Sequence, residues 1–597
     1  MQIKERIEAL RAQMVMRGIT LYVVPTADFH ESEYVGEHFK ARKFITGFTG
    51  SAGTAVITMN HAGLWTDARY FLQAERQLAG SSVTLYIMGE EGVPTIPAFI
   101  EEHLENGGRI GFDGRVINSS LGRTFREIAE KKGADVASDK DLIDLIWDDR
   151  PPLSAAPVRV LPLSASGKSS EEKLADLRSE MASLGATTHL LTSLYDIAWL
   201  LNIRGGDVSY VPVVLSYLAL NQKDCILFAN ETVFSEDVKA YLASIRVEIR
   251  PYDDFYAYIR SIPAGEKVLL DRGAVNTLAI DSIPAGVEII QHVNPTVLMK
   301  SVKNAVEMAN TREAHIKDAV AVTRFMIWLK TNIGKLPMTE ISAADKLEAL
   351  RRENEGFLDL SFDTISGYAH HGAIVHYGPT PESDIPLKPE GLLLVDSGAH
   401  YIEGTTDITR TFALGPVTDE MRDDFTRVLI ANMNLANARF LHGCSGMNLD
   451  ILARAPLWDV NADFKHGTGH GVGHILSVHE GPNGFRWRKT ADRSEGSTLE
   501  EGMITTDEPG IYIEGKYGIR TENELLCRKG VKNEYGQFMY FEQLTFVPID
   551  LDAVNTEMLT YIDKKRINEY HAEVYDKVSP YLSDEENEIL KIYTRAI

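Results

Sequence analysis

Ile3, Ile7, Leu10 and Met14 recur at intervals of three and four near the start of the chain, with charged residues between them. That spacing predicts an amphipathic helix. The apolar run Leu21 to Val24 then predicts a strand. The same order returns later: Leu10-Arg11, Met14, Gly18 and Thr20 recur as Leu177-Arg178, Met181, Gly185 and Thr187, at a constant offset of 167 (177 − 10), before a second apolar strand, His189 to Leu191. A constant offset with matching element order argues for internal duplication of one α/β unit. Between the copies, Arg150 to Ser170 is rich in Pro and Ser and reads as a linker. It holds Gly167-Lys168-Ser169, but the glycine that a phosphate-binding loop needs five positions before Gly167 is Pro162, so no such loop forms.

A long periodic segment from about Val306 to Ile333 predicts a helix that opens a third domain. From Gly356 to about Pro548 the pattern changes to short apolar strands with Gly-rich turns, interrupted by one helical region, roughly Asp419 to Leu441. The tail, from His571 to Leu590, reads as helical and charged. With 597 residues the chain is too long for a single core. The expected division is 1–155, 156–300 and 301–597, in an α/β (α+β) class.

Charge narrows the function. Lys and Arg number 61 against 85 Asp and Glu, a formal charge of −24, which argues against general affinity for nucleic acid or anionic membrane. The first residues lack the continuous apolar core of a signal peptide, and no run of about 18 apolar residues is available to span a bilayer, so a cytoplasmic location is expected. Cys225, Cys444 and Cys527 lie far apart and odd in number, which favours buried thiols over a disulfide framework.

The chemistry sits in the third domain. Val395 to Arg410, VDSGAHYIEGTTDITR, reads as a hairpin with Asp396 ending one arm and Asp407 beginning the other. Alone it also reads as a pair of turn-flanking aspartates. A second hairpin, Ile504 to Cys527, carries Glu508 and Glu522 on either side of the turn Ile513-Glu514-Gly515-Lys516. Between them, Lys465 to Glu480 places His466, His470, His474 and His479 among glycines, whose alternation lets the backbone pass close to a ligand and excludes a regular helix. Asp396, Asp407, Glu508 and Glu522 with one neutral imidazole, His470, carry a charge of −4, which two divalent cations balance and one does not. Oxygen-rich ligation with one nitrogen suits Mn²⁺, with Co²⁺, Fe²⁺ or Zn²⁺ able to occupy it. Two such ions bridging a water are a hydrolytic device. His376, in GAIVHYGPT, is expected on a short strand; by itself it reads as an ordinary core or edge histidine.

Taken together, VDSGAHYIEGTTDITRTF, HGTGHGVGHILSVHEGP, GMITTDEPGIY, GIRTEN and, in the N-terminal half, WTDARYFLQ and IAWLLNIRGGDV resemble the pita-bread metallopeptidases, most closely the long, three-domain Xaa-Pro aminopeptidases (aminopeptidase P). The resemblance covers nearly the whole chain. It implies two related creatinase-like α/β domains followed by a pita-bread catalytic domain, and hydrolysis of the bond between an N-terminal residue and a penultimate proline by a hydroxide bridging two divalent metals. It implies Asp396 as the bidentate ligand of one metal, Asp407 and Glu522 as bridging carboxylates, and His470 and Glu508 as ligands of the other. It places His376, His466 and His479 on substrate and oxyanion, Glu508 as proton shuttle, and Arg520 as an orienting group. Arg69 of the first domain is a further candidate, and a homodimer through the catalytic domain is implied.

Two features depart from the family pattern. Ala369-His370-His371-Gly372 replaces Gly-Pro-Asn-Gly, and Phe485 to Gly502 is longer than usual. The alternatives are a prolidase restricted to Xaa-Pro dipeptides and a non-catalytic binding protein on the same fold. The shorter prolidase architecture fits the first poorly, and the five intact ligand types argue against the second.

Overall fold

The structure is a computed structural model in which residues 1–67, 69–488 and 496–597 are described. It divides into two compact units, one of Met1–Leu161 with Lys168–Thr296, the other of Pro162–Gly167 with Val297–Ile597.

The predicted first helix is Ile3–Met16, and it buries Ile7, Leu10 and Met14 against the strand Leu21–Pro25 and its neighbours. That strand pairs antiparallel with Thr54–Thr58 and parallel with Arg109–Gly111, inside a sheet of spatial order Thr84–Ile87, Ala62–Thr66, Thr54–Thr58, Leu21–Pro25, Arg109–Gly111, Asp135–Ala137. The second half repeats it. Helix Ser170–Ser183 buries Leu174, Leu177 and Met181, and the strand Thr188–Leu191 takes the equivalent central place in a six-stranded sheet with the same mixture of pairings. The duplication read from the 167-residue offset is therefore a duplication of topology. The two sheets belong to one unit, joined where Ser119 N donates to Val275 O and Thr277 N to Ile117 O, both at 2.8 Å.

The Pro/Ser-rich stretch is not a bare linker. Arg159–Val160 pairs with Ile203–Arg204, and Leu163–Ser166 is a short helix closed by Gly167 at φ 64°. Ser169 caps the next helix, its hydroxyl accepting from Glu172 N at 3.2 Å. Asn304 and Asn310 fasten residues 164–166 to the second unit by donating to the Ser166 and Ser164 carbonyls, each at 2.8 Å. Backbone groups that composition marks as loop are thus paired.

In the second unit the long helix is Ala305–Asn332, opened by an Asn304–Glu307 capping box. Its apolar face and helix Glu340–Arg352 cover a core shared with the strands that carry the acids. The helix expected from Asp419 to Leu441 ends at Ala436; Arg439–Leu441 pairs instead with Phe538–Tyr540. Helices Gly446–Leu449 and Ile451–Trp458 break the expected strand pattern, the latter with Pro456 inside it. The tail forms helices Tyr561–Val578 and Asp584–Tyr593. Cys225 and Cys527 are buried thiols, but Cys444 is only partly covered. Among the described residues no helix is long and apolar enough to cross a membrane.

Candidate metal centre

The first acidic hairpin forms as expected. Leu392–Ser397 pairs antiparallel with Ile408–Ala413, setting Asp396 opposite Thr409, and Ala399–Tyr401 with Gly404–Thr405 makes the tip. Both aspartates are buried. Gly398 is required here: a Cβ would lie 1.9 Å from the Thr406 carbonyl oxygen, so only a bare backbone lets the arms approach.

The second hairpin brings Ile504–Asp507 against Asn523–Asn533 and Gly510–Ile513 against Tyr517–Arg520, with Gly515 at φ 74° in the turn. Glu508 leaves the end of one strand and Glu522 precedes another. In the histidine segment, Gly469–His470 pairs with Gly484–Phe485, and His470 N donates to Thr506 Oγ1 at 3.0 Å. Two of its glycines let neighbouring backbone come close. A Cβ at Gly469 would meet Thr506 O at 1.8 Å and one at Gly471 would meet Glu480 O at 2.1 Å.

Asp407, His470 and Glu522 converge, their donor atoms all within 4.8 Å of one another. His470 Nε2 stands 3.5 Å from Asp407 Oδ2 and 3.5 Å from Glu508 Oε1. Burial, and then the charge of Asp396, holds Asp407 well above the ordinary carboxylate range; burial and then Asp407 do the same to Glu522. Glu508 is also pushed up, chiefly by burial, with His470 and Arg520 pulling against it. Asp396 gives one oxygen to Arg520 Nη2 at 2.7 Å, while its Oδ1 is buried with no hydrogen-bond partner. An orphaned carboxylate oxygen beside three mutually repelling acids and one imidazole is a donor set that fits hard or borderline divalent cations.

Around this set the other expected residues take different places. Arg520 bridges, with Nη1 donating to Tyr512 OH at 2.6 Å and Nη2 also reaching Val375 O at 3.2 Å. His466 Nε2 faces the same Tyr512 hydroxyl at 2.8 Å, its Nδ1 faces Gly467 O at 2.7 Å, and burial pushes its pKa down to about 3. His479 packs edge-on against His470, ring centroids 4.2 Å apart. His376 lies on a turn rather than the expected strand, because the preceding Ala369–Ala373 is a 3₁₀ helix and only Ile365–Tyr368 joins the sheet. Arg69 forks onto Asp67 at 2.8 Å and lies 3.8 Å from Glu33, all within the first unit. The unusual His371 is buried against Glu340, with Nδ1 3.0 Å from Oε1. Of the long segment 485–502, residues 489–495 lie outside the described residues.

Tyr512 and Thr409 were not among the expected residues. Thr409 donates to Glu522 Oε2 at 2.7 Å, and Tyr512 joins His466 to Arg520. Alternation along the strand Gly510–Ile513, which puts Tyr512 on the face opposite Ile511, is the signal that points to it.

Comparison with known proteins agrees with this geometry. Residues 309–529 match the model for metallopeptidase family M24 and 537–597 that for the C-terminal region of peptidase M24; 6–146 and 149–307 each match a creatinase/prolidase N-terminal domain. Aminopeptidase P2 of Arabidopsis thaliana is 38% identical over 601 residues, covering 95% of this chain and 84% of that one. A probable Xaa-Pro aminopeptidase P of Aspergillus niger is 38% identical over 609 residues, covering 99% and 97%. The chain belongs to metallopeptidase family M24, among the Xaa-Pro aminopeptidases. The same architecture appears in the crystal structure of an X-prolyl aminopeptidase from Caenorhabditis elegans, described as a cytosolic enzyme with a di-nuclear active site. It superposes with a TM-score of 0.95 at 34% identity, over 100% of both chains. In this M24 chain, therefore, two creatinase-like domains precede a pita-bread domain.

Proposed function

We propose that the chain removes the N-terminal residue from peptides whose second residue is proline, using two divalent ions held by Asp396, Asp407, His470, Glu508 and Glu522, with Mn²⁺ the preferred metal. The observation that carries this reading is the convergence of Asp407, His470 and Glu522, with Glu508 alongside, in a buried cluster whose acids repel one another. When bound, such ions supply Lewis-acid polarisation of a carbonyl and an acidified water.

The remaining steps fall to the chain's own groups. Arg520 fixes Asp396, and the neutral His466 fixes Tyr512 against Arg520. Both nitrogens of His466 are thereby occupied, so in our reading His466 orients this chain while His376 and His479 donate to the peptide and its developing oxyanion. Glu508 is the group assigned to carry a proton to the leaving proline nitrogen. The same proposal includes domain limits at 155 and 300, a homodimer and a cytoplasmic location.

Purified protein treated with chelator is expected to lose cleavage of Xaa-Pro-Pro tripeptides and to regain it with Mn²⁺. Undiminished cleavage by metal-free protein overturns the mechanism. Preference for a Gly-Pro dipeptide over the tripeptide makes the enzyme a prolidase instead.

A further inference from the structure

The inner face of the helix Ala305–Asn332 carries Thr311, His315 and Asp318, spaced four and three residues apart and all fully buried. Such spacing puts them in one stripe. Core positions on a helix favour apolar residues, and each polar group placed there carries a desolvation cost that its partners must offset. The partners are informative, because each side chain reaches a different segment bearing expected metal ligands.

Asp318 Oδ2 accepts from the hydroxyl of Thr406, the residue before Asp407, at 2.8 Å, and Oδ1 accepts from Tyr401 OH at 3.0 Å. Arg351 forks onto both oxygens at 2.7 and 3.0 Å, and its Nη2 reaches the carbonyl of Ser397, the residue after Asp396, at 3.3 Å. One buried ion pair therefore touches both arms of the first hairpin. Next along the stripe, His315 Nε2 lies 3.1 Å from Oε2 of Glu524, two residues beyond Glu522. Thr311 Oγ1 lies 3.4 Å from Nδ1 of His474, four residues beyond His470, and His474 Nε2 faces Ala165 O at 3.0 Å.

We infer that Thr311, His315 and Asp318 form a positioning frame for the metal centre. From behind, they hold the aspartate hairpin, the glutamate hairpin and the histidine segment at the spacing two cations need. The inference rests on the ligand set proposed above. Its physical basis is that four like-charged acids push apart in the metal-free protein, so their backbones must be braced by groups that do not themselves coordinate. None of the three is a catalytic residue.

The test uses the full-length protein, stripped with chelator and titrated with Mn²⁺ by calorimetry, with the melting temperature of the stripped protein and kcat and KM at saturating Mn²⁺ measured alongside. Thr406→Val removes the hydroxyl that donates to Asp318 and also accepts from Ala399 N at 3.0 Å, while leaving the Asp318–Arg351 pair intact; Thr406→Ser retains both bonds; His315→Gln, which leaves the aspartate hairpin's own bonds untouched, probes the second contact. Thr406→Val and His315→Gln are expected to weaken Mn²⁺ binding by about 10–100-fold. Thr406→Ser should stay near wild type, KM should hold, kcat should recover in excess Mn²⁺, and stripped proteins should melt near wild type. Thr311→Val, which leaves no charge unpaired, carries the test for any variant that folds poorly. Wild-type Mn²⁺ affinity in the folded variants, or a lowered melting temperature as the sole effect, overturns the inference. Failure of the proposed activity shows elsewhere, in wild-type protein that binds Mn²⁺ and cleaves no Xaa-Pro peptide. Wild-type protein that binds no Mn²⁺ removes the ligand set on which the frame depends.

Discussion

Asp407 concentrates the conflict between stability and function in this chain. It is buried, repelled by Asp396 and Glu508, and within reach of His470. Asp407→Asn removes one of four repelling acids, so the stripped variant should melt a few degrees above stripped wild type, while Mn²⁺ no longer raises its melting temperature and peptide cleavage is lost. Differential scanning fluorimetry with and without Mn²⁺ reads both effects; a variant that melts lower and still binds metal contradicts the bridging role. The convergence of Asp407, His470 and Glu522 was legible because two acidic hairpins and a glycine-flanked histidine segment stand out in one domain, and their joint charge asks for cations. Tyr512 was not. One of 23 tyrosines carries no charge signature, and its importance comes from meeting His466 and Arg520, a contact made only in the fold.

Among elements, the two hairpins were readable from alternation and turn glycines, and the long helix from its period. The misses share a cause. Ile451–Trp458 is a short helix containing a proline, and the turn at His376 follows a 3₁₀ segment, so tertiary contacts decide both. The glycines of the site likewise take their meaning from packing. Gly398→Ala forces a Cβ against Thr406 O and Ser361 Oγ, and should cost at least about 1–3 kcal/mol in urea unfolding while weakening Mn²⁺ binding; unchanged stability would mean the hairpin gives way freely. The histidine segment is anchored at its far end by Glu480. Its carboxylate meets Lys303 Nζ at 2.6 Å and Lys300 Nζ at 3.7 Å, with all three side chains nearly inaccessible. Glu480→Gln takes the counter-charge from the buried Lys303 ammonium, an expected loss of about 3–5 kcal/mol. Pairing it with Lys303→Met should return part of that loss, and the denaturant midpoints of single and double variants measure the coupling.

For the whole molecule, the two compact units offer separate handles. The donor cluster found among the described residues lies in the second unit, so metal should stabilise that unit by mass action, about 2.7 kcal/mol when free Mn²⁺ is 100 times its dissociation constant. The first unit has its own titrating strain. Glu31 sits at φ 59°, its Oε1 enclosed without a partner, and burial pushes its pKa up to about 8 against the pull of Asn118. With the folded value above the ordinary 4.5, the folded chain holds the proton that the unfolded chain has released across that interval. Stability from this group is therefore complete below about 4.5 and is lost as pH rises through about 8. Glu31→Gln should remove that loss. Hydrogen exchange read peptide by peptide separates the two effects. Mn²⁺ should slow exchange in the strand bearing Asp396 and in the strands that begin just after Asp407 and Glu522, whereas Glu31→Gln at pH 8 should slow it in the strands of the first sheet, around Leu21–Pro25. A Glu31→Gln protein whose exchange there, corrected for the intrinsic rate, still quickens with pH as in wild type would show that this carboxyl is already ionised in the folded chain.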